Sequence, residues 1–535
     1  MDTKCFHINT AVRTIPDSGP PSRTYSLEAF RRVGMGPDAG NRRIPLILFL
    51  VSFACYAYFM QVPGWNQSSR MALIMSVVNR HQLTIDAYQG LTGDKAYYKG
   101  HYYSDKAIGT AVLGVPVYAA IRQVQRLDHY PKLRGDIRYS LYLVSIGVVA
   151  LPSAILCVLF YYLALLLSRR RLWAVALALC YSFGTLAFPF STVLFEHQDA
   201  AAFGFAAFVA LVKARLASSS PRWLLLAGTL TGVAVLMEFP AALMAIALFV
   251  YAASFARPLR RLGFFALGGV PWALLMFGYN LVTLGSPLRF AYQYEWNTAF
   301  QAMHSGFFGI TAPQWSALVE ILVGPRGLLV QSPFLLLLPL GVWAMGRAEG
   351  WRRECALCVG LGLVFVLYNA AYYLPIGGDS PGARFLVAVI PFLVVPLAFL
   401  PALPRLYAAL AQSALVLAGA YSVALYALIC ITNPLAPEGI DAPVSAYWLP
   451  LYRHGSLMMN AGTIRFGLWG MASLAPLGYF LLCASGALVA ASSGRTRRNT
   501  LLHVAGMVLL VVGYLAVAFP LDLLHPAAVP SLFAR

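Results

Sequence analysis

The stretch Ala107-Ile108-Gly109-Thr110-Ala111-Val112-Leu113-Gly114-Val115-Pro116-Val117-Tyr118-Ala119-Ala120-Ile121 decides the topology of this chain. Counted as a membrane span, it inverts every loop that follows. Left out, thirteen apolar spans remain, near 44–62, 139–167, 172–192, 198–212, 223–239, 240–256, 262–283, 327–346, 355–374, 385–402, 407–431, 465–491 and 501–520. Charge arbitrates. With 107–121 excluded, the inner loops hold Arg169, Arg170, Arg171, Lys213, Arg215, Arg222, Arg257, Arg260, Arg261, Arg347, Arg352, Arg353, Arg405, Arg495, Arg497 and Arg498. The outer segments after residue 139 hold only Arg289, Arg326, Arg384, Arg453, Arg465 and Arg535. Sixteen against six is the bias expected when cytoplasmic loops retain Lys and Arg. The segment 107–121 is therefore expected to lie along, or partly in, the outer surface. The first outer loop, 63–138, then carries ten Lys/Arg. Long loops cross largely regardless of charge, and an anionic lipid headgroup gives that basic concentration a purpose.

Composition agrees. Of 535 residues, 59% are hydrophobic and 11% charged, where a soluble protein carries about a quarter charged. Apolar runs bounded by Arg clusters read as an all-α polytopic membrane protein. The net charge of +19 lies largely in short loops between spans, so it sets orientation and gives no sign of nucleic-acid binding. Residues 1–43, with seven Lys/Arg and no evident cleavable signal, read as a disordered cytoplasmic tail. Residues 44–520 form the membrane domain, and 521–535 a short outer tail. The eight cysteines lie mostly in or beside apolar spans and read as small apolar residues. Cys355 and Cys358 have CxxC spacing, but no second pair completes a metal site.

The chemistry is expected on the outer side, where the polar loops fall. Asp94-Lys95 and Asp105-Lys106 are two acid–lysine pairs eleven residues apart, among aromatics that include Tyr103. A lysine there suits a lipid phosphate, and an aspartate suits an acceptor or holds the lysine in place. A solvated loop with incidental ion pairs is the plainer alternative. Ser68 to Val78 is amphipathic and suited to the interface. Glu196, His197 and Asp199 crowd one abrupt turn. They read either as a capped helix start or as a site. They also offer three adjacent ligands to a divalent cation, a weak constellation because all come from one turn. Asp379 and Arg384 sit among Gly377, Gly378 and Gly382, where backbone can approach a ligand. A turn salt bridge between them is the alternative. Glu238 is a charge at the junction of two spans, a costly placement that calls for a partner or a function. Tyr294, Glu295 and Trp296 read as an interfacial aromatic belt or a sugar-stacking surface.

Together these features resemble the GT-C superfamily of integral-membrane glycosyltransferases, among them protein O-mannosyltransferases and bacterial lipid A aminoarabinose transferases. The resemblance implies a catalytic membrane domain with juxtamembrane helices in the first outer loop. It also implies transfer of a sugar from a polyprenyl-phosphate donor to a protein, lipid or polysaccharide, with inversion, at the periplasmic or lumenal face of a multi-pass protein of bacterial inner-membrane type. Asp105-Lys106-Ala107-Ile108-Gly109 resembles the family's acid-Lys-Pro-Pro stretch, without its prolines, so Lys106 inherits contact with the donor phosphate. Asp199, with His197 beside it, resembles an acid at the outer start of a later span. Gly377 to Phe385 resembles a bacterial pattern that turns its arginine, here Arg384, to the site.

One departure stands out. Where the family carries an acid after its first span, this chain reads Trp65-Asn66-Gln67-Ser68-Ser69-Arg70, with no carboxylate. The base is then expected among Asp86, Asp94, Asp105 and Asp199. Lys106, Arg384 and Lys95 are expected to meet the donor phosphate, and Glu196, His197, Asp379, Tyr103, Tyr294 and Glu295 to line the substrate site. A transporter or lipid flippase is the alternative. It is disfavoured by the lack of a clear internal repeat, the few charges within spans, and the large outer loops set against short inner ones.

Overall fold

The computed structural model describes residues 43–127, 137–304 and 306–492. α1 (Arg43–Tyr58) leads into α2 (Trp65–Arg80). An antiparallel hairpin follows, β1 (Lys95–Tyr98) and β2 (His101–Ser104), and then α3 (Gly109–Leu127). Next come α4 (Ile137–Ser168), α5 (Arg171–Phe183), α6 (Glu196–Leu216), α7 (Pro221–Met237), α8 (Ala241–Phe255) and α9 (Leu262–Leu284). α10 (Trp315–Gln331) and α11 (Pro333–Arg347) meet at a 98° bend. α12 (Arg352–Ala371), α13 (Arg384–Ala402), α14 (Arg405–Thr432) and α15 (Gly470–Val489) complete the described chain.

The protein is an all-α polytopic membrane protein. α4, α9, α12, α13, α14 and α15 are long and apolar enough to cross a membrane, and the bent α10–α11 pair makes up to a seventh such unit. α1, α5, α7 and α8 are shorter apolar helices. Each predicted span from 44–62 to 465–491 coincides with one or two helices. The predicted span 501–520, the tail up to residue 42 and the segment 521–535 lie outside the described residues.

The ambiguous stretch 107–121 supplies most of α3, which is not among the helices fit to cross. α3 packs on α2 and on the start of α4, around a second small core that contains Ile74, Ala111, Tyr118, Val144 and Leu194. Its first turn touches the end of α7. A Cβ on Gly109 would lie 2.5 Å from the Leu236 carbonyl oxygen, so only glycine permits that approach.

α2 departs from its interfacial reading. An amphipathic helix keeps one face wet, yet Asn66 through Ile74 are all buried. Polar groups tolerate burial when they find partners, and several of these do. The Ser69 and Ser104 hydroxyls are 2.8 Å apart, and Arg70 donates to the Asn66 carbonyl at 2.9 Å.

Candidate functional site

The hairpin builds the first half of the site. It turns through Lys99 and Gly100, both at positive φ (48° and 87°), as a primed two-residue turn requires. Its register pairs Lys95 with Ser104, which brings Asp94 and Asp105 together at the open end. Lys106 reaches between them. Its Nζ lies 2.9 Å from Asp94 Oδ2 and 2.5 Å from Asp105 Oδ2. The side chains of Lys106, Asp94 and Asp105 are only 11%, 9% and 1% exposed. Asp105 Oδ1 also accepts from Ser69 Oγ at 3.2 Å. Burial by itself would lower the Lys106 ammonium, but the Asp105 and Asp94 carboxylates outweigh it and raise it above the ordinary lysine value, so it stays charged. Burial raises Asp105, with Lys106 pulling the other way.

The two acid–lysine pairs expected from the sequence are thus replaced by one lysine between two acids. Lys95 turns to other partners than Asp94 does. Its ammonium donates to Gln89 O at 2.9 Å and to Gln89 Oε1 at 2.5 Å. It lies 4.5 Å from the Trp296 ring centroid and 4.8 Å from that of Tyr102.

The second half lies where α2, α6, α7 and α13 converge. Arg70 of α2, absent from the sequence-based site, forms a buried ion pair with Glu196 at the start of α6. His197 Nδ1 is 2.9 Å from Glu238 Oε1, just past the end of α7. The charge at span depth thereby finds its partner. The His197 ring is 1% exposed and packs edge-on against Phe190 and Phe385. Asp199 is fully buried, and neither carboxyl oxygen has a hydrogen-bond partner among the described residues. Arg384 opens α13, and its guanidinium lies 5.8 Å from the Phe195 centroid. Gly377 makes room for it. A Cβ there would sit 2.5 Å from Arg384 Nε, and its φ of +93° suits glycine.

The Gly377–Arg384 loop is held by Arg326, also missed in the sequence. Arg326 donates to the carbonyls of Ser380 at 2.9 Å, Ala436 at 3.3 Å, Pro437 at 2.5 Å and Ile440 at 3.0 Å. An isolated arginine in a loop carries no sequence signal that it will bind four carbonyls.

The remaining candidates divide. Glu295 bridges to Ala96 of β1, near enough for Asp105, Lys106 and Asp94 to act on its charge. Burial, and then the Asp105 charge, push its carboxyl up to about 8. Tyr292 and Tyr373 both lie within the field of Lys106. Asp86 sits apart, paired with His101 Nδ1 at 2.8 Å in an exposed turn. Tyr103 lies near Tyr279, and the Tyr294 ring packs 4.6 Å from that of Tyr98. Asp379 forms no salt bridge with Arg384; its Oδ1 accepts from the Glu438 N–H at 3.2 Å. Glu196, His197 and Asp199 diverge, the first toward Arg70 and the second toward Glu238. Among the described residues no group of three His, Cys, Asp or Glu is placed to hold a metal ion.

Neither a protein-family model nor a curated protein matches the chain. Among solved structures, the crystal structure of ArnT from Cupriavidus metallidurans in the apo state is similar, at 15% sequence identity and a TM-score of 0.47, over 88% of this chain and 77% of that one.

Proposed function

We propose that this chain is a membrane glycosyltransferase that moves a sugar from a polyprenyl-phosphate carrier to a hydroxyl of a protein, lipid or polysaccharide acceptor on the outer face. The observation that carries this reading is Lys106, held between Asp94 and Asp105 in a nearly buried pocket. In a single inverting displacement the acceptor oxygen attacks the anomeric carbon and the carbon–oxygen bond to phosphate breaks. Negative charge grows on the departing polyprenyl phosphate, and Lys106 and Arg384 offset it. Asp94 and Asp105 fix the ammonium beforehand, so little reorganisation accompanies the reaction. Membrane lipids surround the site, and no nucleic acid takes part. Inversion rests on the family resemblance.

The alternative transporter reading draws on the bent α10–α11 pair, since discontinuous helices mark many transport sites. At this bend the polar groups are already engaged. Gln331 Nε2 donates to Pro381 O and Ser332 Oγ to Gly184 O, each at 2.8 Å. The bend supports the Arg384 loop, which favours the transferase.

The test is mass spectrometry of lipid-linked sugars in cells with the gene, without it, and with Lys106→Ala. One polyprenyl-phosphate sugar accumulating in both altered strains is the expected result and names the donor. No change in any lipid-linked sugar removes the reading.

A further inference from the structure

A transferase of this kind needs a group to take the acceptor proton, and where the family carries an acid after its first span this chain has no carboxylate between Trp65 and Arg70. The structure narrows the replacements. Asp94 and Asp105 both hold Lys106, and a carboxylate committed to an ammonium is a poor proton acceptor. Asp86 holds His101 in an exposed turn. Asp199 has no hydrogen-bond partner among the described residues to orient it. His197 does have one. Its Nδ1 lies 2.9 Å from Glu238 Oε1; with the carboxylate accepting there, the lone pair falls on Nε2, which has no partner among the described residues. A carboxylate that fixes the tautomer and aim of an imidazole is the arrangement that makes histidine an effective base.

The imidazole also stands beside the charges assigned to the donor. Its ring lies 5.4 Å from that of Phe385, next to Arg384, and 5.9 Å from that of Phe195. Lys106 and His197 both act on Glu196.

We propose that His197 is the general base of this transferase and that Glu238 is its positioning residue, an inference that rests on the transferase reading above. The acceptor O–H proton moves to His197 Nε2 as the acceptor oxygen bonds to the anomeric carbon. The electron pair of the breaking carbon–oxygen bond leaves with polyprenyl phosphate. Of the charged or titratable groups, Glu238 after α7 and Glu196 on α6 act on the ring directly; Arg70 on α2, Lys106 before α3 and Asp199 on α6 interact with Glu196, and Tyr368 on α12 interacts with Glu238 and Arg384.

The experiment uses the full chain in lipid nanodiscs, with polyprenyl-phosphate pentose, hexose and aminohexose as donors and membranes of the producing cell as acceptor source. Release of polyprenyl phosphate is followed against pH, and binding of polyprenyl phosphate alone reports an intact donor site. His197→Gln is expected to lower kcat by about 10²–10⁴-fold, to leave the donor KM within threefold, and to abolish the fall of kcat/KM toward acid. Glu238→Gln, nearly isosteric, is expected to lower kcat at least about tenfold and to displace that acidic limb to lower pH. Full kcat with an unchanged pH profile in either variant overturns the assignment. So does an acidic limb lost in Asp199→Asn but kept in His197→Gln, which gives the base to Asp199. Should His197→Gln fail to bind polyprenyl phosphate, the Glu238→Gln profile decides. Wild-type protein that binds polyprenyl phosphate but releases none from any donor removes the transferase reading itself, and the base with it.

Discussion

Arg70 and Arg384, remote in sequence, place their guanidiniums beside the same ring, 6.0 and 5.8 Å from the Phe195 centroid. Their commitments differ. Arg70 is paired with Glu196, whereas Arg384 has no carboxylate partner among the described residues and its Nε is unbonded there. An arginine held by aromatic contacts and left without a counter-ion is ready for an arriving anion.

Replacing Arg384 by Gln is therefore expected to raise the transfer barrier by roughly 2–4 kcal/mol, as for a lost oxyanion donor. That corresponds to about a 30- to 1,000-fold loss of kcat/KM. Arg384→Lys recovers only part of it, because an ammonium cannot reproduce the planar fork. Kinetics on purified protein with defined lipid-phosphate sugars measure both. A loss below threefold in Arg384→Gln would take the residue out of the donor site.

The Arg70–Glu196 pair makes a stability prediction. The two side chains are 1% and 9% exposed, so removing one strands the other's charge, a cost of about 3–5 kcal/mol. Arg70→Met is expected to lower the melting temperature sharply in detergent. Arg70→Met with Glu196→Gln is expected to regain most of the loss, because no unpaired charge is then buried. Equal melting of the single and double variants would show that the pair is not coupled.

Glu295 makes a pH prediction. Burial and the nearby Asp105 charge hold its carboxyl at about 8, against an ordinary value of 4.5. The folded protein thus keeps this proton where the unfolded chain releases it. The stability that Glu295 contributes is full below about 4.5, declines as pH rises, and is gone above about 8. Glu295→Gln has no proton to lose. Wild type is expected to fall progressively behind it in melting temperature from pH 5 to pH 8.5. A gap that does not change with pH would refute the shift.

The sequence exposes some of this architecture and hides the rest for physical reasons. Lys106 is legible because a charged, aromatic-rich segment is conspicuous in so apolar a chain. The pairing within that segment is not. It depends on the hairpin register, which sets Lys95 opposite Ser104 and so brings Asp94 and Asp105 to the same open end. His197 and Arg384 stand out beside helix starts and glycines. Arg70 does not, because an arginine on an amphipathic stretch reads as a solvated charge until the fold buries it. Arg326 is hidden similarly, since its partners are backbone carbonyls that carry no signature in sequence.

The far end of α6 supplies the contrasting case. Arg215 Nε lies 2.7 Å from Glu354 Oε1, and the Tyr251 hydroxyl donates to the same oxygen. The Arg215 guanidinium also rests 5.1 Å from the Trp351 ring centroid. The cluster ties α6, α8 and α12 together, and the 21-residue α6 separates it from Glu196 by about 30 Å. Its charges are nearly buried, at 8% and 1% exposure, so the same penalty for a stranded partner applies, about 3–5 kcal/mol. Arg215→Met is expected to melt early, and Arg215→Met with Glu354→Leu to recover, since a well-packed apolar pair often replaces a buried ion pair without loss. Turnover per folded molecule should stay within twofold in both, because neither residue approaches Lys106. A large fall in turnover with unchanged melting would mean that this end of α6 governs the other, and that the two ionic clusters act as one system.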